Sequence, residues 1–307
     1  MSIINTTKEV KYVIPAVDVN MGGIILKQAL PTQKITQIDP FLLLHHANFD
    51  YRDDSPAIHQ GIGPHPHRGF SPVTFIIEGE VHHRDSRGNN QIAKKGEVQW
   101  MHAGAGIVHS ERPSQKLADQ NGRQEIIQLW INSPANKKMQ PPNYQYVPKS
   151  EIPVFWSEDK SIKNKLIAGK YKDLEGNSLE GKIKTESELL IIWSKSEGKG
   201  SQILSVSKEM NAMIYVVKGE MRIKGYGKAN EKELIVFEIN TEKSPENLVE
   251  NIEIHTETEV EFLVLCGVPI NEKITQQGPF VMNTQTEILE AMRDYQMGKM
   301  GVLIEEK

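Results

Sequence analysis

Phe75-Ile-Ile-Glu-Gly-Glu-Val81 and Tyr215-Val-Val-Lys-Gly-Glu-Met221 are two versions of one short phrase, 140 residues apart in a chain of 307. Each has an apolar strand end, a Gly that permits a tight turn, and a returning strand. One such match alone is a common hairpin composition. Its occurrence once in each half of the chain points to an internal duplication. Working outward, short apolar or alternating runs recur at residues 73–77, 97–101 and 126–131 around the first copy. Around the second they fall at 189–193, 203–206, 212–217, 234–239 and 260–265. Turn clusters such as Ser86-Arg-Gly-Asn-Asn90 separate them. Many short strands at such spacing predict an all-β fold of sandwich or barrel type.

Between the halves, residues 134–153 carry Pro134, Pro141, Pro142, Pro148 and Pro153. Proline cannot serve a central strand, so this stretch is expected to be an extended linker, with domains at 1–150 and 151–307. One helix is expected at 287–297, capped by Thr284 with Glu287 in capping-box spacing and ended by Gly298. Ile288, Leu289, Met292 and Tyr295 form its apolar stripe, which suits cover for a barrel face.

Composition narrows the function. With 38% apolar and 25% charged residues and a net charge of -4, the chain offers no basic field for nucleic acid or anionic lipid. No apolar run approaches the roughly 18 residues that cross a bilayer. The N-terminus has no secretory h-region, and Cys266 is the single cysteine, so a cytoplasmic location without a disulfide framework is expected. Cys266 itself, in an apolar run, is read as a small buried hydrophobe.

Nine of the ten histidines fall between residues 45 and 109. In Gly63-Pro-His65-Pro-His67-Arg-Gly-Phe70, two histidines sit two apart, so an extended backbone, favoured by Pro66, presents both imidazoles on one face. His109-Ser-Glu111 repeats that spacing after the turn-forming Ala103-Gly-Ala-Gly106. Two strands each giving two donors predict a mononuclear site of His65, His67, His109 and Glu111. Imidazole suits Fe, Cu, Ni and Zn, and the carboxylate adds hard-oxygen character. A closed structural zinc site would be thiolate-rich, which one cysteine does not support. Carried by the offset of 140, His65 and His67 fall on Ser205 and Ser207, so no metal is expected in the second half. His45, His46, His82 and His83 lack partner spacing and are read as structural. His59 is placed in a loop at the barrel mouth, His102 between pocket lining and turn packing, and Trp100, Met101 and Trp130 in the core.

The ordered set His65-Pro-His-Arg-Gly-Phe70, Glu78-Gly-Glu80, His83-Arg-Asp-Ser86, Gln99-Trp-Met101 and His109-Ser-Glu111 resembles the pirin family of the cupin superfamily. Gln276-Gln-Gly-Pro-Phe-Val-Met-Asn-Thr284 is similar to a segment near the C-termini of pirins. The resemblance covers the chain from Asp39-Pro-Phe-Leu-Leu-Leu44 to the final helix. His102, His45-His46 and His82 depart from the usual pattern without removing a ligand. The resemblance implies a bicupin of two stacked antiparallel jelly-roll barrels with a C-terminal helix, in which only the first barrel holds metal. It places the ligands on His65, His67, His109 and Glu111, with Glu111 taking the place of a cupin Glu where Ser71 stands. It further implies Fe(II), with Mn, Ni, Co, Cu or Zn as alternatives, and a quercetin 2,3-dioxygenase type of reaction on a small aromatic substrate and dioxygen. Glu111 would be the general base. The family also suggests an alternative, a non-enzymatic metal-dependent regulator with a protein partner. Cupins host many chemistries, so isomerisation or binding of another small metabolite is a third reading.

Overall fold

The computed structural model describes residues 7–51, 55–173, 176–239 and 249–305. Period-two alternation becomes antiparallel strand almost throughout. Two compact units emerge: Asp18–Ser150 with Ile270–Lys307, and Met1–Val17 with Glu151–Pro269. This differs from domains of 1–150 and 151–307, because each end of the chain belongs with the other half. Apolar cover is the reason. The helix Gln285–Gln296 and Met300 bury Ile288, Ala291 and Met300 with Val108, Phe280 and Met282 of the first unit. Strand Val10–Pro15 pairs with Glu233–Phe237 of the second.

Each unit contains a seven-stranded and a four-stranded sheet in the same strand order apart from one edge strand of the larger sheet, which follows the others in the chain in the first unit and precedes them in the second. In the first unit the larger sheet runs Asn143–Val147, Val98–His102, Phe70–Glu78, Arg123–Asn132, Phe41–Asp50, Ile24–Leu30 and Val17–Met21. Its smaller sheet runs Ile62–His67, Ile107–Arg112, Glu80–Asp85 and Asn90–Lys94. The second unit repeats this with Val10–Pro15, Glu233–Phe237, Asn211–Lys218, Glu259–Gly267, Leu189–Glu197, Ile162–Ala168 and Val154–Trp156. Its smaller sheet is Gly200–Ser207, Val249–Thr256, Glu220–Ile223 and Gly227–Asn230. The two sheets of each unit give the jelly-roll type of fold expected, without closing into one continuous barrel. The repeated phrase is the tight turn by which the chain passes from the larger sheet to the smaller one in each unit. Gly79 and Gly219 take φ of +75° and +80°, and a Cβ on either would strike a backbone carbonyl, Arg123 O or Glu259 O.

Three local expectations change. The proline-rich stretch is not all linker: Asn143–Val147, between Pro142 and Pro148, pairs with Val98–His102. It forms the sheet edge, where flanking prolines cost no ladder hydrogen bond. The helix has the expected capping box at Thr284 and Glu287, but buries Ile288 and Ala291 while Leu289 and Tyr295 are exposed. The offset of 140 also slips by one residue on strand Gly200–Ser207. There Leu204 and Val206 face the core and Ser205 points out, bonding Asn251 Oδ1 at 2.8 Å. With a side-chain period of two, that slip turns the serines to the outer face and puts hydrocarbon where the first unit has imidazole.

Candidate metal centre

Strands Ile62–His67 and Ile107–Arg112 pair antiparallel, with His109 opposite His65 and Ile107 opposite His67. Residues two apart share a face, so the three imidazoles meet inside the first unit. Their ring centroids are 4.8 Å (His65–His67), 4.3 Å (His65–His109) and 5.0 Å (His67–His109) apart. One ligating nitrogen from each lies within 4.8 Å of the others, and among the described residues no other such group of three appears.

Like charges could not gather this way. Burial, then the neighbouring imidazoles, holds His67 and His109 well below the ordinary histidine range, so both are neutral. A neutral imidazole has one N–H and one lone pair. His65 Nδ1 lies 2.8 Å from Gly63 O and His67 Nδ1 lies 3.4 Å from Pro279 O. A carbonyl only accepts, so both Nδ1 atoms carry a proton, and neutral His67 presents its lone pair on Nε2. His67 Nε2 and His109 Nε2 are buried with no hydrogen-bond partner. A buried acceptor left unsatisfied is costly, and convergent imidazole lone pairs are the donor set of a transition metal. The residues fit such an ion.

Glu111, the fourth expected ligand, lies two residues beyond His109 across a register irregularity and falls outside the three-histidine group. Thr74 Oγ1 donates to its Oε1 at 2.8 Å, and Gln128 Nε2 donates to Oε2 at 2.8 Å. Neither Thr74 nor Gln128 was singled out from sequence. Both lie on the larger sheet, as cross-strand partners between Phe70–Glu78 and Arg123–Asn132.

A further pair, His83 and Asp85, lies beside the triad. His83 Nε2 lies 3.0 Å from Asp85 Oδ2, and His83 Nδ1 lies 3.4 Å from His109 Nδ1. Burial works against the Asp85 charge, yet hydrogen bonds from His83, Asn89 and the Arg87 amide outweigh it and hold the carboxyl below its ordinary range. Tyr144 stacks on His83 at 4.2 Å, and its buried hydroxyl has no hydrogen-bond partner. The signal was present: His83 and Asp85 have the same two-residue spacing as His65 and His67. Trp130, expected in the core, is half-buried beside the site, 5.4 Å from His67 and 4.4 Å from Phe70.

The remaining histidines have other partners. His46 pairs with Glu125 at 2.8 Å, His82 meets Asn90, and buried His102 lies 3.4 Å from Ser71 Oγ. His59 ends a short 3-10 turn, Ala57–His59. His45 lines a mainly apolar cleft of about 350 Å³, open to solvent, with Leu26, Phe49, Ile62, Ile126 and Gln128. Gln128 therefore touches both this cleft and Glu111. Burial pushes His45 down to about 4 from 6.5. The unfolded chain then binds a proton that the folded protein refuses, so the His45 contribution is complete above pH 6.5 and lost as pH falls through 4. That is worth about 3 kcal/mol. His45→Gln is expected to flatten acid unfolding across this window in denaturant titrations; an unchanged pH profile would remove His45 from the account.

Cys266 is buried as expected, which raises its thiol to about 12. Among the described residues no helix is long and apolar enough to cross a membrane.

Comparison with known proteins agrees with the geometry. The profile described as Pirin matches residues 23–131, and that of the Pirin C-terminal cupin domain matches residues 195–301. A Pseudomonas aeruginosa relative, whose name assigns it provisionally as a quercetin 2,3-dioxygenase, is 34% identical over 265 residues, 85% of this chain and 86% of its own. A quercetin 2,3-dioxygenase structure from Acinetobacter baumannii superposes with a TM-score of 0.84 at 32% identity, covering 97% of this chain and 100% of its own. A bacterial pirin from Escherichia coli, solved in complex with nickel(II), shares the fold at a TM-score of 0.63 and 21% identity, over 84% of this chain and 99% of its own. The duplicated cupin-type fold, the histidine triad in the first unit and these matches together place the chain in the pirin family.

Proposed function

We propose that the protein is a metal-dependent dioxygenase of the quercetin 2,3-dioxygenase type, acting on flavonol-like substrates and dioxygen. The observation that carries this reading is the pair of buried, unpartnered nitrogens, His67 Nε2 and His109 Nε2, converging with His65 beside an anchored carboxylate. When bound, a divalent ion, Fe(II) by preference and Mn, Ni, Co, Cu or Zn as substitutes, supplies Lewis acidity toward the enolic oxygen of the substrate. His65, His67, His109 and Glu111 would hold it.

Glu111 is the proton acceptor for the substrate hydroxyl. Thr74 and Gln128 fix its two oxygens, so the carboxylate needs no reorientation to receive the proton. Trp130 and Phe70 form an aromatic wall beside His67 for a flat substrate. The Tyr144 hydroxyl, buried and unpartnered, is available to a substrate oxygen. Loss of the proton leaves an electron-rich substrate anion able to react with dioxygen, and ring opening then releases carbon monoxide.

Oxygen uptake with carbon monoxide release on adding quercetin to Fe(II)-loaded protein tests the reading. Absence of turnover with Fe(II), Mn(II), Ni(II) and Cu(II) alike would end it for this substrate class. Glu111→Gln is expected to lower kcat by about 10²–10⁴. An unchanged kcat in that variant would remove Glu111 as the base.

A further inference from the structure

We propose that Asp85 and His83 are positioning residues for the metal centre: a one-way chain of hydrogen bonds, from imidazole to imidazole to carboxylate, fixes His109 in the tautomer whose Nε2 faces the site.

The direction of each bond follows from the one before it. Asp85 receives only donors besides His83: the Arg87 amide at 2.9 Å, the Asn89 amide at 3.1 Å and Asn89 Nδ2 at 2.7 Å. An ionised carboxylate accepts and never donates, so the contact of 3.0 Å from His83 Nε2 requires the proton on that nitrogen. With its single proton placed on Nε2, His83 has a bare Nδ1. Two lone pairs cannot face each other across 3.4 Å, so His109 Nδ1 must carry its proton. What remains on His109 is a bare Nε2, the buried atom without a partner. Tyr144, stacked on His83 within 15° of parallel, holds the plane of the intermediate ring.

His109 needs this device and the other two ligands do not. Gly63 O and Pro279 O are carbonyls, which can only accept, so His65 and His67 have their tautomers set in one step. The partner of His109 is itself an imidazole, which could equally donate. A second group must choose, and Asp85 does. Register makes this possible: strand Glu80–Asp85 lies beside Ile107–Arg112, with Asp85 opposite His109 and His83 opposite Glu111. Partners of this kind outside the ligand set orient the ligand and strengthen its binding.

The plain alternative is that Asp85 only holds the turn at Arg87 and Asn89 while His83 only packs beneath Tyr144. His83→Phe separates the two, because it keeps a ring for Tyr144 and leaves the turn contacts of Asp85 intact while deleting both nitrogens. Calorimetric titration of the chelator-stripped full chain with Ni(II) is expected to show about 10–100-fold weaker binding for His83→Phe and for Asp85→Asn. The unfolding temperature of metal-free His83→Phe should stay near that of the unmodified protein. Independently, imidazole ¹⁵N spectra of the metal-free protein should show His109 protonated on Nδ1, moving toward Nε2 in Asp85→Asn. Wild-type nickel affinity in His83→Phe, or His109 protonated on Nε2 in the unmodified protein, would overturn the proposal. The proposal rests on the histidines being ligands, and the two failures differ. An unmodified chain that takes up no nickel refutes the ligand reading, while the ¹⁵N spectra still decide the tautomer.

Discussion

His67→Ala is expected to leave the protein without stoichiometric metal while its second unit folds as before. His67 is fully enclosed, its Nδ1 turned to Pro279 O and its Nε2 to the other two imidazoles. Structural zinc sites of four protein donors bind with about 10–16 kcal/mol, and on that scale losing one donor costs roughly 3 kcal/mol, a hundredfold or more in affinity. Alanine also leaves an apolar void where a water would have to replace the imidazole. Metal analysis after dialysis against a weak chelator reads the result directly. The core of the second unit, built around Leu204, Val206, Ile252 and Ile254, has no part in the site, so its unfolding transition should not move. Full metal content in the variant would disqualify the triad.

Gly69→Ala should do comparable harm without touching a ligand. Gly69 sits two residues after His67 with φ of +87°, a conformation that costs an ordinary residue about 1–2 kcal/mol. Its added Cβ would collide with the Val281 carbonyl oxygen and come within 2.9 Å of Met282 Sδ. A backbone oxygen cannot rotate away, so strand Phe280–Met282 has to shift. That strand follows Pro279, whose carbonyl fixes His67, and Val281 O together with Gly69 O receives the buried Lys138 ammonium. The expected loss is about 3 kcal/mol or more, roughly 5–10 °C in Tm, with weaker metal binding in parallel. A variant that melts at the wild-type temperature would show that the close approach is dispensable.

The candidate ligands could be picked out in the sequence because extended backbone obeys a period of two: His65 with His67, and His109 with Glu111, have the spacing of a shared face, and the three histidines form the close group. The duplication could be read because Gly79 and Gly219 meet the same backbone constraint. What surrounds the ligands was hidden because it depends on pairing between distant strands. Thr74 and Gln128 reach Glu111 across 37 and 17 residues of chain. His83 and Asp85 offered the right spacing, but their meaning depends on strand Glu80–Asp85 lying beside Ile107–Arg112, which no local pattern states. The serines at 205 and 207 show the limit of a fixed offset, since a one-residue difference in a loop reverses which side of a strand faces inward.

The crossing of the chain ends has a consequence for biosynthesis. A ribosome delivers residues 18–150 early, yet the unit they form also needs residues 270 onward. Until those arrive, Val108 lacks its helical cover, and Arg68 and Arg112 wait for Asp294 and Glu305. Pro279 O is not yet there to orient His67. The full set of contacts around the triad therefore exists only once residues 270–305 have been made, and a gene fragment ending at codon 150 would lack Pro279, Asp294 and Glu305.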